Sequence, residues 1–431
     1  MCMKKEYKEI LKIALPAMAE NLLQMAMGVV DSYLIAFLGL AALSGVSIAN
    51  NMMAIYQAIF LALVAVTSSR LAYEVGRGNH DRVRQSATEA VALTLWFGFG
   101  LGSFSLFLNQ SLFVALGAEK TVADAGGAYF SLVGGGVVLL GLMTSLGAIL
   151  RATGKPRLPM YISVLSNVLN LIFSYIGVFV FHWGIKGVAF GTLFSRLVAC
   201  VILWRQLEFP LDKFSWTIDR QLLKMILSST GERMMMRGGD VVVVALITGL
   251  GTPVLAGNAI GESLTQFNYM PALGICTATV ILTAKSQGKI QQIERTKRAS
   301  LILTIIIMYL ISVITYLLSP ILISLFTQEF VARQASKVVI LSSLIGVPFT
   351  AATLVYTAFW QGLGKPQLPF YATSIGMWGI RILLAYLLIH YTQLGFVSIW
   401  IGTTLDNLFR AIFLASIYRK EKKDGVQTVN D

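Results

Sequence analysis

The stretch GAILRATGKPRLPMYIS (147–163) returns 210 residues later as TAFWQGLGKPQLPFYAT (357–373). Both contain GKPxLPxY, and both join one long apolar run to the next across a short polar loop. A shift of 211 overlays GIKGVAFGTLFSRL (184–197) on GFVSIWIGTTLDNL (395–408). A shift of 212 overlays Lys12 on Lys224, Glu20 on Glu232, Leu38 and Gly39 on Leu250 and Gly251, Gly45 on Gly257 and Gly76 on Gly288. Three nearly equal offsets in chain order mark a duplicated chain.

The composition says what was duplicated. Of the 431 residues, 56% are hydrophobic and 13% charged, and the mean hydropathy is +0.72. A soluble domain carries roughly 25% charged residues, so the bilayer is the natural solvent for this chain. A spanning helix needs ~20 apolar residues. Ala90–Ala118, Leu301–Gln328 and Val338–Gly364 supply that length without one charge. The same reading gives twelve spans, near 9–38, 43–69, 86–109, 121–150, 158–181, 184–205, 218–249, 253–283, 297–319, 333–361, 368–390 and 393–418. Helices are expected, since barrel strands would be short and alternating. The fold class is therefore an all-α integral membrane protein with two pseudo-symmetric six-helix lobes. Its expected parts are lobe one at 1–206, a linker at 207–217, lobe two at 218–418 and a tail at 419–431.

A net charge of +13 could point to nucleic acid, but its distribution argues against that partner. Lys4, Lys5, Lys8 and Lys12 open the chain, and basic residues then crowd every second loop. These include Arg70, Arg77, Arg82 and Arg84; Arg151, Lys155 and Arg157; and Lys285, Lys289, Arg295, Lys297 and Arg298. Arg419, Lys420, Lys422 and Lys423 follow the last span. This positive-inside pattern places both termini in the cytoplasm and requires an even number of spans. Each half then starts on the same side, so the repeats are parallel, as in carriers that bind substrate between lobes. Cys2, Cys200 and Cys276 are scattered and imply neither a disulfide framework nor a metal site. No HExxH, P-loop or GxSxG occurs, so an enzyme is not expected, no cofactor is expected, and transport energy must come from an ion gradient.

Ionisable side chains inside a membrane are functional candidates by default. Between Lys12 and Arg70 the only charges are Glu20 and Asp31. They are eleven residues apart, ~16 Å of helical rise, and fall on one stripe. Asp31 reads either as a proton- or cation-binding carboxylate or as a hydrogen-bonded structural acid. Glu20 reads either way too. The seventh span carries GERMMMRGGD (231–240). Its simplest reading is an internal ion-pair network of Glu232, Arg233, Arg237 and Asp240, and its sharper one is coupling or gating. Glu262 in the eighth span is a further candidate. Asp406 and Arg410, one turn apart, read as a local pair, and Arg381 has no partner nearby in sequence. Asn167, Asn170, Ser174 and Thr192 offer neutral oxygen ligands. The glycines of GGG (134–136) read as places of close helix packing.

These residues, taken in order, resemble the MATE (multidrug and toxic compound extrusion) family of the MOP superfamily, bacterial type. The resemblance runs through LPAMAENLLQMAMGVVDSYLIAFLG (15–39), RLAYEVGRGNHDRVRQS, RATGKPRLP, GVAFGT (187–192), GTPVLAGNAIGESL and QGLGKPQLP. It implies a cell-membrane antiporter that exports amphipathic or cationic small molecules by alternating access, driven by protons or sodium. It implies a cation site in the first lobe, with the aspartate falling on Asp31, the asparagine on Asn170 and the threonine on Thr192. The family's second aspartate falls on Ser174, which favours proton over sodium, although Na+ at Asp31, Asn170 and Thr192 stays open. A monomer in the lipid bilayer is expected. The alternative is a flippase for a lipid-linked saccharide or cell-wall precursor, with Arg233, Arg237 and Arg381 as its cations.

Overall fold

Among the described residues nine glycines adopt positive φ, and eight of them form four pairs at the repeat offsets: Gly39 with Gly251, Gly78 with Gly288, Gly154 with Gly364, and Gly184 with Gly395. The φ values are 103° against 110° for the first pair, 70° against 86° for the second, 103° against 75° for the third and 55° against 52° for the last. Side chains rarely adopt this conformation, so both halves spell their inter-helix turns with the same residue. One overlay changes as a result. The repeat partner of Gly288 is the turn glycine Gly78, not the helical Gly76.

The computed structural model describes residues 3–115, 117–210 and 219–427. The expected linker at 207–217 falls, from 211 onward, outside the described residues, as does the end of the tail. The described chain is helical: α1 Met3–Ala36, α2 Leu40–Arg77, α3 His80–Phe107, α4 Asn109–Ala115, α5 Lys120–Gly135, α6 Val137–Ala152, α7 Arg157–Tyr175 and α8 Ile185–Arg205. The second half follows with α9 Arg220–Thr248, α10 Thr252–Lys285, α11 Ile290–Phe326, α12 Phe330–Gly362, α13 Gln367–Ser374, α14 Leu383–Tyr391 and α15 Val397–Gln427. Short π-helical segments extend α7 (Ile176–Val180) and join α13 to α14 (Ile375–Ile382).

Among the described residues, nine helices are long and apolar enough to span a bilayer, and α5 with α6 makes a tenth, bent by 42°. The two remaining long helices, α9 and α15, carry the intramembrane charges Glu232, Arg233, Arg237 and Asp240, and Asp406 and Arg410. Together they give the twelve-helix architecture. The apolar surface confirms the solvent. Leu310, Leu317, Ile321 and Leu325 on α11 stand 62, 68, 63 and 75% exposed, a stripe that water would not tolerate on a monomer.

The chain divides into two compact units, Ala19–Leu223 and Met1–Met18 with Lys224–Asp431. In lipid the hydrophobic effect does not drive helices together, so small residues that admit close backbones do the packing. A methyl on Gly45 would strike the Val122 carbonyl of α5, and one on Gly257 would strike the Ala332 carbonyl of α12. Those contacts are the same repeat contact, second helix against fourth span. Near Gly136 the three glycines serve packing and also break the helix, where α5 ends and α6 begins. Gly274 brings α10 against the backbone of Ala14 and Met18, which explains why the first part of α1 belongs with the second half.

Candidate functional site

Within the unit Ala19–Leu223, α7 and α8 touch backbone to backbone at Gly177 and Gly187. That approach lets their short polar side chains meet away from lipid. Asn170 Nδ2 donates to Thr192 Oγ1 at 3.1 Å, and Ser174 Oγ donates to Asn170 Oδ1 at 3.2 Å. Thr192 Oγ1 donates to the Val188 carbonyl at 3.0 Å. All three residues are buried, Ser174 completely. The Gly191 position leaves room for Ser174, since a methyl there would collide with its hydroxyl. Asn167 Nδ2 reaches across to the Leu23 carbonyl of α1 at 3.2 Å. The three neutral residues expected to act together are therefore one hydrogen-bonded cluster.

Asp31 stands beside that cluster without a hydrogen bond to it. Its Oδ1 is buried and has no partner among the described residues. Buried polar atoms are nearly always satisfied, so an orphan carboxylate oxygen asks for a proton or a ligand. Two residues that sequence reasoning missed complete the surroundings. Tyr129, buried on α5, lies near Thr192 and within electrostatic reach of Asp31. Arg196, one turn after Thr192 on α8, acts electrostatically on Asp31 and Tyr129. Its Nη1 is buried without a hydrogen-bond partner among the described residues. The signal was present: Arg196 is a charge within the sixth span, i+4 from a candidate ligand.

Glu20 has a fixed partner. Arg151 Nη1 donates to its Oε2 at 2.7 Å, with side chains only 13 and 9% exposed. Arg151 was read as a loop cation but closes α6. In the second half the repeat counterpart of Glu20, Glu232, accepts a hydrogen bond from Gln361 Nε2 at 3.3 Å. Gln361 is the repeat counterpart of Arg151. One architectural contact thus survives in both halves, charged in one and neutral in the other.

The seventh-span network is centred elsewhere than the sequence suggests. Arg237 and Asp240 are largely exposed and 3.9 Å apart, and Glu232 makes no ion pair within 4 Å among the described residues. The dense pairing is on the fully buried Asp406. Its Oδ2 accepts from Arg381 at 2.7 and 3.0 Å and from Arg410 Nη2 at 2.9 Å. Asp240 lies 3.8 Å from Arg381. Arg381 sits in the π-helical turn, and a methyl on Gly376 would displace Asp406 from it. Helix α9 is one helix of the lobe, so its charges look out to neighbours rather than along the chain; the partner of Asp240 comes from the eleventh span. Glu262 is exposed on α10, one turn from Asn258. No group of three or more His, Cys, Asp or Glu residues able to hold a metal occurs among the described residues.

A profile of the MatE family matches residues 16–176 and 229–387, one match in each half. The chain belongs to the MATE family. Its members are transporters, and this protein is a multi-pass membrane transporter and not an enzyme. A probable multidrug resistance protein NorM of Thermotoga maritima is 27% identical over 94% of this chain and 90% of its own length. An uncharacterized transporter, YisQ, of Bacillus subtilis is 23% identical over 94 and 92%. Among solved structures, a MATE protein in its bent conformation superposes with a TM-score of 0.90 over 98% of this chain and 97% of its own, at 21% identity. An outward-facing multidrug resistance MATE transporter gives 0.87 over 96% of both chains, at 22% identity. At those identities the MATE structures share the fold, and the site must be argued from this chain's own side chains.

Proposed function

We propose that this MATE transporter exports amphipathic, often cationic small molecules across the plasma membrane, as a monomer, in exchange for protons entering through Asp31. The observation that carries the reading is the orphan Oδ1 of Asp31 beside the cluster of Asn170, Ser174 and Thr192. Glu20, the other acid of the first span, is already satisfied by Arg151. Protonation would satisfy the Asp31 oxygen and remove one charge from the helix it sits on. A ligand shifts a two-state equilibrium only by its differential affinity for the two states. A proton that binds in one conformation and leaves in the other therefore drives the cycle. The basic loops support cytoplasmic termini, and an inward proton gradient across that membrane then drives substrate outward. The likeness to a probable multidrug resistance protein NorM of Thermotoga maritima supports drug-like substrates.

The flippase alternative requires free cations to hold a pyrophosphate, and Arg381 is already engaged by Asp406. Efflux of a cationic dye from expressing cells tests the reading. Efflux should fall on collapse of the proton gradient, persist without sodium, and be lost in Asp31→Asn. Full efflux in Asp31→Asn, or loss on sodium removal alone, would overturn it.

A further inference from the structure

Thr192, Arg196 and Cys200 follow at i, i+4 and i+8 on α8 and share one face of the helix. The Thr192 end of this face is bound into the Asn170 cluster. At the other end the Cys200 thiol donates to the Leu139 carbonyl of α6 at 3.3 Å. Arg196 lies between these two anchored residues on the helix, with its Nη1 buried and unpartnered among the described residues. Asp31 lies close enough to feel its charge, yet outside the 4 Å of an ion pair. One orphan acceptor and one orphan donor of opposite charge therefore share the same interior.

A sodium ion at this place would need several oxygen ligands and a negative setting. The oxygens of the neutral cluster are partly engaged: Asn170 Oδ1 accepts from Ser174, and Thr192 Oγ1 accepts from Asn170 while donating to Val188. The negative setting is missing. One carboxylate lies within electrostatic reach of one guanidinium, so the two together carry no net charge to attract a metal cation. In a medium of low dielectric the repulsion from the guanidinium is weakly screened. The residues present do not fit sodium.

We propose that Arg196 is a resident counter-cation, standing in for a metal ion beside Asp31, and that it restricts the first lobe to protons as its coupling ion. The proposal rests on Asp31 being the coupling carboxylate. Its test is made on binding, without any exported substrate, in purified protein. Saturable binding of radioactive Na+, and the shift in melting temperature when Na+ replaces choline at constant ionic strength, are the readouts. The wild type and Arg196→Lys should bind no sodium saturably. Arg196→Met, or Arg196→Gln if the methionine variant is poorly recovered, should gain saturable binding, with affinity raised by about tenfold or more. Asp31→Asn placed on top of either should abolish it. Asp31-dependent sodium binding in the wild type would overturn the proposal. So would neutral variants as blind to sodium as Arg196→Lys. Failure of dye efflux under every gradient would sink the exporter reading and leave these binding results standing.

Discussion

Arg151→Gln converts the Glu20 contact of the first half into the contact that the second half already makes between Glu232 and Gln361. Glu20 and Arg151 meet at 2.7 Å with side chains 13 and 9% exposed. Removing one partner of such a buried pair costs about 3–5 kcal/mol, because the other charge stays buried and unmatched. Arg151→Met should therefore destabilise by roughly the lower part of that range, since Glu20 keeps some contact with solvent. Arg151→Gln should do much less. A glutamine at the equivalent position reaches an equally buried glutamate at 3.3 Å, so it keeps a donor on the acid. The hydrogen bond kept on the carboxylate, about 1.5–3 kcal/mol for a charged acceptor, should offset that much of the loss seen in the methionine variant. Thermal unfolding of the purified protein, followed by loss of the monodisperse peak on size exclusion, ranks the variants. The order should be wild type, Arg151→Gln, then Arg151→Met. In addition, Glu20→Gln with Arg151→Met should be less damaging than the sum of its two single changes. A glutamine variant as unstable as the methionine variant would refute the equivalence of the two contacts.

Asp406 should be the most costly charge to remove in the second half. Asp406→Ala leaves both Arg381 and Arg410 buried, compensated only by the longer 3.8 Å contact of Arg381 with Asp240 and by the electrostatic reach of Glu232 to Arg410, at about 3–5 kcal/mol. Arg410→Met leaves an intact Arg381–Asp406 pair and should cost distinctly less; equal melting losses would contradict the geometry. Asp219, before α9, accepts the Gln221 amide at 2.9 Å and pairs with Arg70 at 2.8 Å. The amide bond first, and then Arg70, hold its carboxyl below the ordinary value. Its contribution is therefore complete above the usual carboxylate range and is lost as pH falls through the lowered value. Asp219→Ala should cost about 1 kcal/mol at neutral pH, whereas Asp219→Asn, which still caps, should cost a few tenths. Melting curves at neutral and acid pH check both, and the gap between wild type and Asp219→Ala should close in acid.

The repeat and the twelve spans were legible because their signals are local. Apolar length marks a span, and a turn that demands positive φ retains glycine in both copies, as at Gly154 and Gly364. Even α9 and α15, diluted by charge, were found by the same reading of apolar length, and the parity of the loop charges agreed with the count. Features without a compositional signature were not legible. The π-helical turns at Ile176–Val180 and Ile375–Ile382 differ from α-helix by how the backbone is wound. The bend at Gly136 looked like a packing glycine, and it is that as well. Of the site, the Asn170, Ser174 and Thr192 group could be placed by i, i+4 spacing and resemblance. The partners of charges could not, because Arg151, Arg381 and Arg196 reach Glu20, Asp406 and Asp31 across 25 or more positions of sequence.

The two halves use equivalent positions for opposite ends. At the offset of 211, Asp406 falls on Ser195 and Arg410 on Ala199, and Arg381 falls on Asn170. The second half has thus placed an acid and two cations where the first half has neutral side chains. It has closed them on one another, with Asp406 fully buried. Any change of charge there breaks ion pairs and leaves buried guanidiniums, which a transport cycle would have to repeat at every turn. The first half keeps its neutral residues hydrogen-bonded and leaves Asp31 with a free oxygen. Proton uptake there breaks no hydrogen bond or ion pair within 4 Å among the described residues, although it leaves the Arg196 guanidinium without the nearby negative charge. A cycle that alternates charge needs the half that can alter it at small cost, and this is the reason to assign coupling to the first lobe although both lobes descend from one sequence.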